Sequence, residues 1–240
     1  MIIVIGRGHS GTRIIPQILV KNGVFMGGHR TEGRGDLTPA QPIYALANLA
    51  SNQVKLLDCY NWDFSNLVNI NRHTDIFDRL IKQYLQPILN HDEPRGWKLP
   101  ENTLIYPWLV RYFPEAYFVY MVRDPRDVIL GEHLTDALNL FSIPHCHGFK
   151  SIYEQRAVSC KYQHDIIYST PKPKHFIKIR FEDIVLNQTL QLERLSSFLD
   201  MPLENQIKMN SNNVAKWRKT KVFTKFSFLK PVCNEHNYIW

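Results

Sequence analysis

Ile2-Ile3-Val4-Ile5, followed at once by Gly6-Arg7-Gly8-His9-Ser10-Gly11, constrains this chain more than any other stretch. Four consecutive β-branched residues predict a strand buried on both faces, as in a parallel sheet. The next segment, Thr12 to Asn22, reads as a helix with apolar residues at 14, 15, 18 and 19, Pro16 near its start and Gly23 at its end. Strand, glycine loop and helix in that order make an anion site, because the first N–H groups of a helix have no intrahelical partner and glycine lets the backbone approach a ligand.

The rest of the chain repeats the alternation. Helical periodicity runs over 42–50, 75–89, 103–113, 125–134, 150–168 and 190–199, with Asp124 as the cap of the fourth. Buried strands are expected at 117–122 and 175–181, a short strand or turn at 96–100, and a further helix within 221–237. Residues 26–38 and 138–149 read as loops. Strands alternating with helices predict an α/β fold, a parallel sheet with helices on both faces.

A chain of 240 residues with 44% hydrophobic and 12% aromatic residues fits one domain spanning 1–240 and excludes wholesale disorder. No apolar run reaches the ~18 residues of a membrane span, and the N-terminus lacks a basic leader, so a cytoplasmic location is expected. Nothing sets the oligomeric state. Cys59, Cys146, Cys160 and Cys233 are far apart and form no C-x-x-C pair, so buried free thiols are expected. His145-Cys146-His147 has metal-ligand residue types, but three neighbours in sequence rarely aim at one ion.

Charge is uneven. Residues 1–140 carry 14 basic and 14 acidic side chains, whereas 141–240 carry 15 and 8, the whole of the net +7. Lys208, Lys216, Arg218, Lys219, Lys221, Lys225 and Lys230 fall in a stretch without one acid. Such a field attracts anions. No C2H2 spacing, RNP-like strand or basic heptad helix accompanies it, so a polyanionic cofactor or acidic substrate is expected rather than nucleic acid.

Gly6 and Gly11 have the spacing of a nucleotide-triphosphate loop, G-x-x-x-x-G-K-[ST], but Thr12 replaces its Lys and Arg13 its metal-binding Ser/Thr. The cradle for an oxyanion survives and the Mg²⁺ ligand does not. Arg7-Gly8-His9-Ser10-Gly11-Thr12-Arg13 resembles the 5′-phosphosulfate loop of sulfotransferases, [KR]-[ST]-G-T-[TS]. Three later segments match in order: Gly96-Trp97-Lys98-Leu99-Pro100 resembles the G-W-K-x-P segment of bacterial members, Tyr117 to Val128 the strand–turn–helix that binds a 3′-phosphate, and Ile179 to Ile184 with Leu195 to Pro202 the "Y-E-D" strand and following helix. Trp217-Arg218 resembles the family's C-terminal end.

The resemblance implies a P-loop-like, three-layer α/β/α fold and 3′-phosphoadenosine 5′-phosphosulfate as donor, with no metal required. The acceptor would be a hydroxyl or amine of a small molecule, lipid or glycan. It assigns Arg7, Gly8, His9, Ser10, Gly11, Thr12, Arg13, Arg123, Gly131 and Arg218 to the donor, and Lys98 to the sulfuryl group or leaving oxygen. The general base would come from Glu32 or Asp36, with His9, His29 and His133 as further candidates. Two positions depart from the pattern: His9 stands where Lys or Arg is usual, making a cation limited by pH, and Gly131 stands where Ser is usual. A metal-dependent kinase of a small metabolite and a catalytically silent anion binder are the alternative readings.

Overall fold

The computed structural model describes all residues except 28–35, 70–74, 147, 205–206 and 221–225. Its elements in chain order are β1 (Ile2–Ile5), α1 (Ile14–Lys21), α2 (Gln41–Ser51), β2 (Lys55–Asp58), β3 (Asn61–Asp63), α3 (Ser65–Asn69), α4 (Asp75–Leu89), β4 (Gly96–Lys98), α5 (Tyr106–Tyr112), β5 (Tyr117–Val122), α6 (Pro125–Val128), α7 (Ile152–Tyr168), β6 (His175–Arg180), α8 (Phe181–Leu186), α9 (Gln188–Leu199) and α10 (Lys230–Glu235).

Four strands form a parallel sheet in the order β4-β1-β5-β6. Ile2 to Ile5 pair with Tyr117 to Tyr120 on one side, and Ile2 to Val4 with Gly96 to Lys98 on the other. The side chains of β1 then divide by the period of two that a strand imposes. Ile3 and Ile5 enter one core with α2, α4, α5 and α7, while Ile2 and Val4 enter a second with α1, α8 and α9. These two cores are the faces of a three-layer α/β/α fold. From α1, Ile15, Ile18 and Leu19 are fully buried, each contributing about 1.5–3 kcal/mol of hydrophobic stabilisation.

The sheet order reverses at β1: β4 lies on one side of it, β5 and β6 on the other. In open parallel sheets the crevice at such a switch point, beyond the carboxyl ends of the strands, is where ligands bind.

Several expectations are corrected. The helix expected over 125–134 ends at Val128, because the Leu130 and Gly131 amides turn back onto Asp127 and Val128 and His133 caps a new 3₁₀ turn. The first three residues of the 103–113 helix belong to a 3₁₀ segment, Pro100–Ile105. The C-terminal helix is confined to 230–235 among the described residues. The β2–β3 hairpin, antiparallel with an irregular register, was not foreseen. Cys59 at its turn is disulfide-bonded to Cys146. Two of the four thiols are therefore not free, and the pairing removes Cys146 from any metal role; Cys160 and Cys233 are free and buried.

Candidate active site

A cleft of about 740 Å³ opens at the carboxyl ends of the four strands. The β1–α1 loop, the end of β4, the turn after β5, the start of α8 and the segment 207–216 all reach it.

The loop amides divide into two sets. Ser10 donates to the Arg7 carbonyl at 3.1 Å and Ile14 to the Gly11 carbonyl at 2.9 Å, which closes the turn into α1. No backbone carbonyl among the described residues accepts from the amides of Gly11, Thr12 or Arg13, and these residues line the cleft. Arg13 forms no ion pair among the described residues. Three amides at the expected position are thus left without a backbone partner among the described residues.

Arg7 and Ser10 do not belong to it. Arg7 is 4% exposed; its guanidinium is ion-paired to Asp136 and donates to the carbonyls of Gly8 (3.0 Å) and Val128 (3.2 Å), so it fastens the loop to the segment after β5. Ser10 lies beside it on that buried side, away from the cleft. A buried Arg–Asp pair keeps its charge for its partner, because separating it in a low-dielectric setting is costly.

The two positions that depart from the family pattern touch each other. His9 has φ +65°, and its Nε2–H donates to the Glu132 carbonyl. A Cβ on residue 131 would lie 2.5 Å from the His9 ring, so the absence of a side chain at Gly131 makes room for the imidazole. Gly131 is therefore a neighbour of His9 and not a lining residue of the cleft. Loss of water around the ring lowers the His9 pKa, helped by Arg7 and Arg123 and opposed by the Glu132 carbonyl. Burial therefore works against the charged imidazole that was expected there. Gly8 serves His133 in the same way, a Cβ there meeting that ring at 1.9 Å.

Lys98, the last residue of β4, also lines the cleft and is 1% exposed. Its Nζ is ion-paired to Asp36, whose backbone runs alongside as a parallel β-bridge. Burial lowers the Lys98 pKa, and Asp36 opposes that shift. Two residues singled out separately in the sequence, 62 positions apart, are thus brought into one pair. His133 also lines the cleft; burial, with Arg7 nearby, lowers its pKa to about 3, and its Nδ1 accepts from the Thr135 amide at 3.2 Å. Glu32 and His29 lie outside the described residues.

Arg123 lies on the cleft rim over the Phe181 ring, 4.4 Å from its centroid. Its guanidinium donates to the His9 carbonyl (3.1 Å), to Asp127 (2.9 Å) and to the Asn213 carbonyl (2.5 Å). Asp127 also accepts from the Trp217 amide at 2.7 Å, and Arg126 stacks on the Trp217 ring at 3.8 Å. The R-D-P-R-D run after β5 therefore clamps the C-terminal basic stretch to the cleft. This clamp was missed, although its residues are adjacent to Arg123. It brings Lys208 and Lys216 to the lining, while Arg218 is exposed and lies against Trp217 outside the cleft. Glu101 was also missed. It is 3% exposed, lines the cleft, and directly follows the quoted G-W-K-L-P run, which is the signal that would have found it.

A family model described as the sulfotransferase family matches residues 2–205. No curated protein matches the chain by sequence. Among solved structures, the sulfotransferase domain from the curacin biosynthetic pathway is similar at a TM-score of 0.58 and 15% identity, covering 99% of this chain and 98% of that one. Sulfotransferase STF9 from Mycobacterium avium is similar at 0.54 and 13% identity, covering 99% and 77%. These likenesses show the α/β fold. With the family model spanning most of its length, the chain belongs to the sulfotransferase family.

Proposed function

We propose that the chain, acting as one domain, transfers a sulfuryl group from 3′-phosphoadenosine 5′-phosphosulfate to a hydroxyl or amine of a small-molecule, lipid or glycan acceptor, with no metal ion. The observation that carries this reading is the run of uncommitted amides at Gly11, Thr12 and Arg13, facing a cleft whose other wall ends in Lys98. The residues fit such a donor: the uncommitted amides share the cleft with Lys208 and Lys216, which have no carboxylate partners among the described residues.

When bound, the donor supplies an activated sulfuryl group on a phosphate leaving group. The chain's own residues supply position and charge, the two means by which such transfers are catalysed. The loop amides, the Thr12 hydroxyl and Arg13 would hold the 5′-phosphate end. Arg123, Lys208 and Lys216 would hold the 3′-phosphate. Lys98, oriented by Asp36, would steady charge building on the leaving oxygen. His9, neutral and hydrogen-bonded to Glu132, braces the loop.

Adenosine 3′,5′-bisphosphate should bind and raise the melting temperature without added metal, as a native-state ligand does, and ATP–Mg²⁺ should bind more weakly. Equal stabilisation by ATP, or an absolute need for Mg²⁺, would favour the kinase reading.

No helix among the described residues is long and apolar enough to cross a membrane. The Cys59–Cys146 bond favours an oxidising compartment over the cytoplasm expected from the sequence.

A further inference from the structure

We propose that Glu101 is the general base that takes the acceptor's proton, an assignment that rests on the sulfotransferase reading of the cleft. Glu101 opens the 3₁₀ turn after β4, three residues beyond Lys98, and lines the cleft beside it. A base must be uncommitted and able to reach the reacting proton. Among the described residues, the Glu101 carboxyl forms no ion pair and accepts from no other side chain.

Among the described residues, the other carboxylate and the imidazoles beside the cleft are already engaged or too weak. The Asp36 carboxylate is paired to Lys98. The His9 Nε2–H is held by the Glu132 carbonyl. His133, with Nδ1 bonded to the Thr135 amide and a pKa near 3, is too weak a base for an alcohol or amine acceptor. The charged and titratable groups around Glu101 are Lys98 on β4, Asp36 beside it, Tyr44 on α2 and Tyr84 on α4. Burial raises the Glu101 carboxyl to about 7; Asp36 adds to the rise, while its own backbone N–H and Lys98 oppose it. That range suits a group that must both accept a proton and release it.

In the step, the acceptor oxygen or nitrogen bonds to sulfur while its proton passes to a carboxylate oxygen of Glu101. The bond from sulfur to the bridging phosphate oxygen breaks, and its electron pair leaves on that oxygen with adenosine 3′,5′-bisphosphate.

The test uses water as the probe acceptor and follows bisphosphate release from 3′-phosphoadenosine 5′-phosphosulfate by the full chain. Glu101→Gln should lower this rate by at least ~100-fold, keep bisphosphate affinity within about twofold, and abolish the fall in rate below pH 7 seen in the unmodified protein. Glu101→Asp should restore part of the rate and the acid limb, shifted in pH. A Glu101→Gln rate equal to the unmodified protein's overturns the proposal. So does a parallel loss of bisphosphate affinity, which would make Glu101 structural. An unmodified protein that binds the bisphosphate yet releases none from the donor overturns it as well. Failure to bind the bisphosphate at all is a different result, which removes the donor assignment and this base with it.

Discussion

The loop wall of the cleft carries Arg13, Arg123, Lys208 and Lys216, and among the described residues only Arg123 is ion-paired. The strand-end wall carries Lys98, Asp36 and Glu101; its cation is already paired and a carboxyl is left over. Unspent positive charge on one side suits a polyanion, and the other side does not. The basic C-terminal run, which from sequence alone could have served an anionic acceptor, contributes Lys208 and Lys216 to the loop wall. The comparison therefore favours a division of labour, with the loop wall for the donor and the strand-end wall for the chemistry at the acceptor.

Lys98→Ala should give the largest effect. If the strand-end wall acts on the leaving oxygen, donor turnover should fall by roughly 10²–10³, the scale for removing one preorganised donor to developing charge. Bisphosphate affinity should change far less. A matched loss of affinity would mean that Lys98 holds the ground state, and the two walls would not be separable.

Glu101 sharpens the comparison through stability. Its folded pKa of about 7 lies above the ordinary carboxyl value of 4.5. The folded state therefore holds the extra proton, and stability falls as pH rises from about 4.5 to 7. Removing that charge should stabilise the protein at pH 8 by up to about 3 kcal/mol, at ~1.4 kcal/mol per unit, and have no effect at pH 4. Thermal unfolding of Glu101→Gln at both pH values checks the sign. A melting temperature lowered at pH 8 would mean that the ionised carboxylate is a net stabiliser. For Lys98 in the same wall burial also disfavours the charge, and its pairing with Asp36 opposes that.

On the loop wall, Arg123→Ala should cost about 1.5–3 kcal/mol in bisphosphate affinity, the range for hydrogen bonds to charged groups. Lys216→Ala should cost less, because an ammonium lacks the fork of a guanidinium. For adenosine 5′-phosphosulfate, which has no 3′-phosphate, both losses should shrink. Arg123 also ties the His9 and Asn213 carbonyls, so a loss that persists with this ligand, measured by calorimetry, would assign Arg123 to the scaffold and leave the 3′-phosphate to the lysines.

What could be read from sequence follows the range of the forces involved. β1, α1, α4 and β5 were foreseen to within about two residues because their burial is set by local periodicity. The glycine loop between β1 and α1 was foreseen because glycine spacing and a helix start are local as well. Arg7 was misplaced because an arginine beside a phosphate loop looks the same whether it faces a ligand or Asp136, 129 positions away. The disulfide and the Arg126–Trp217 clamp are likewise long-range pairings that no spacing encodes. Glu101 lay one residue beyond a recognised motif, and its distinguishing property is burial without a side-chain partner among the described residues, which only tertiary packing creates.

The smallest effect concerns the contact between the two departures from the family pattern. Gly131 and His9 fit as a pair: a side chain at 131 would occupy the space of the imidazole. No positive φ is involved at Gly131, so the cost of adding a side chain is steric. His9 is exposed and not enclosed in a core, which keeps that cost below the 1–3 kcal/mol of overpacking in a closed core. Gly131→Ser should therefore destabilise by roughly 0.5–1 kcal/mol and break the His9–Glu132 hydrogen bond. In a His9→Lys background the same change should be close to neutral, because an unbranched side chain can leave the space. A double-mutant cycle on melting temperature reads the coupling directly. The lowered His9 pKa adds a second readout: with burial disfavouring the charged ring, His9→Ala should leave the alkaline side of the rate profile unchanged, whereas His9→Lys, which adds a cation to the loop wall, should tighten bisphosphate binding. Additive effects in the cycle, or an alkaline limb lost with His9, would show that the imidazole works on the donor and is more than a brace for the loop.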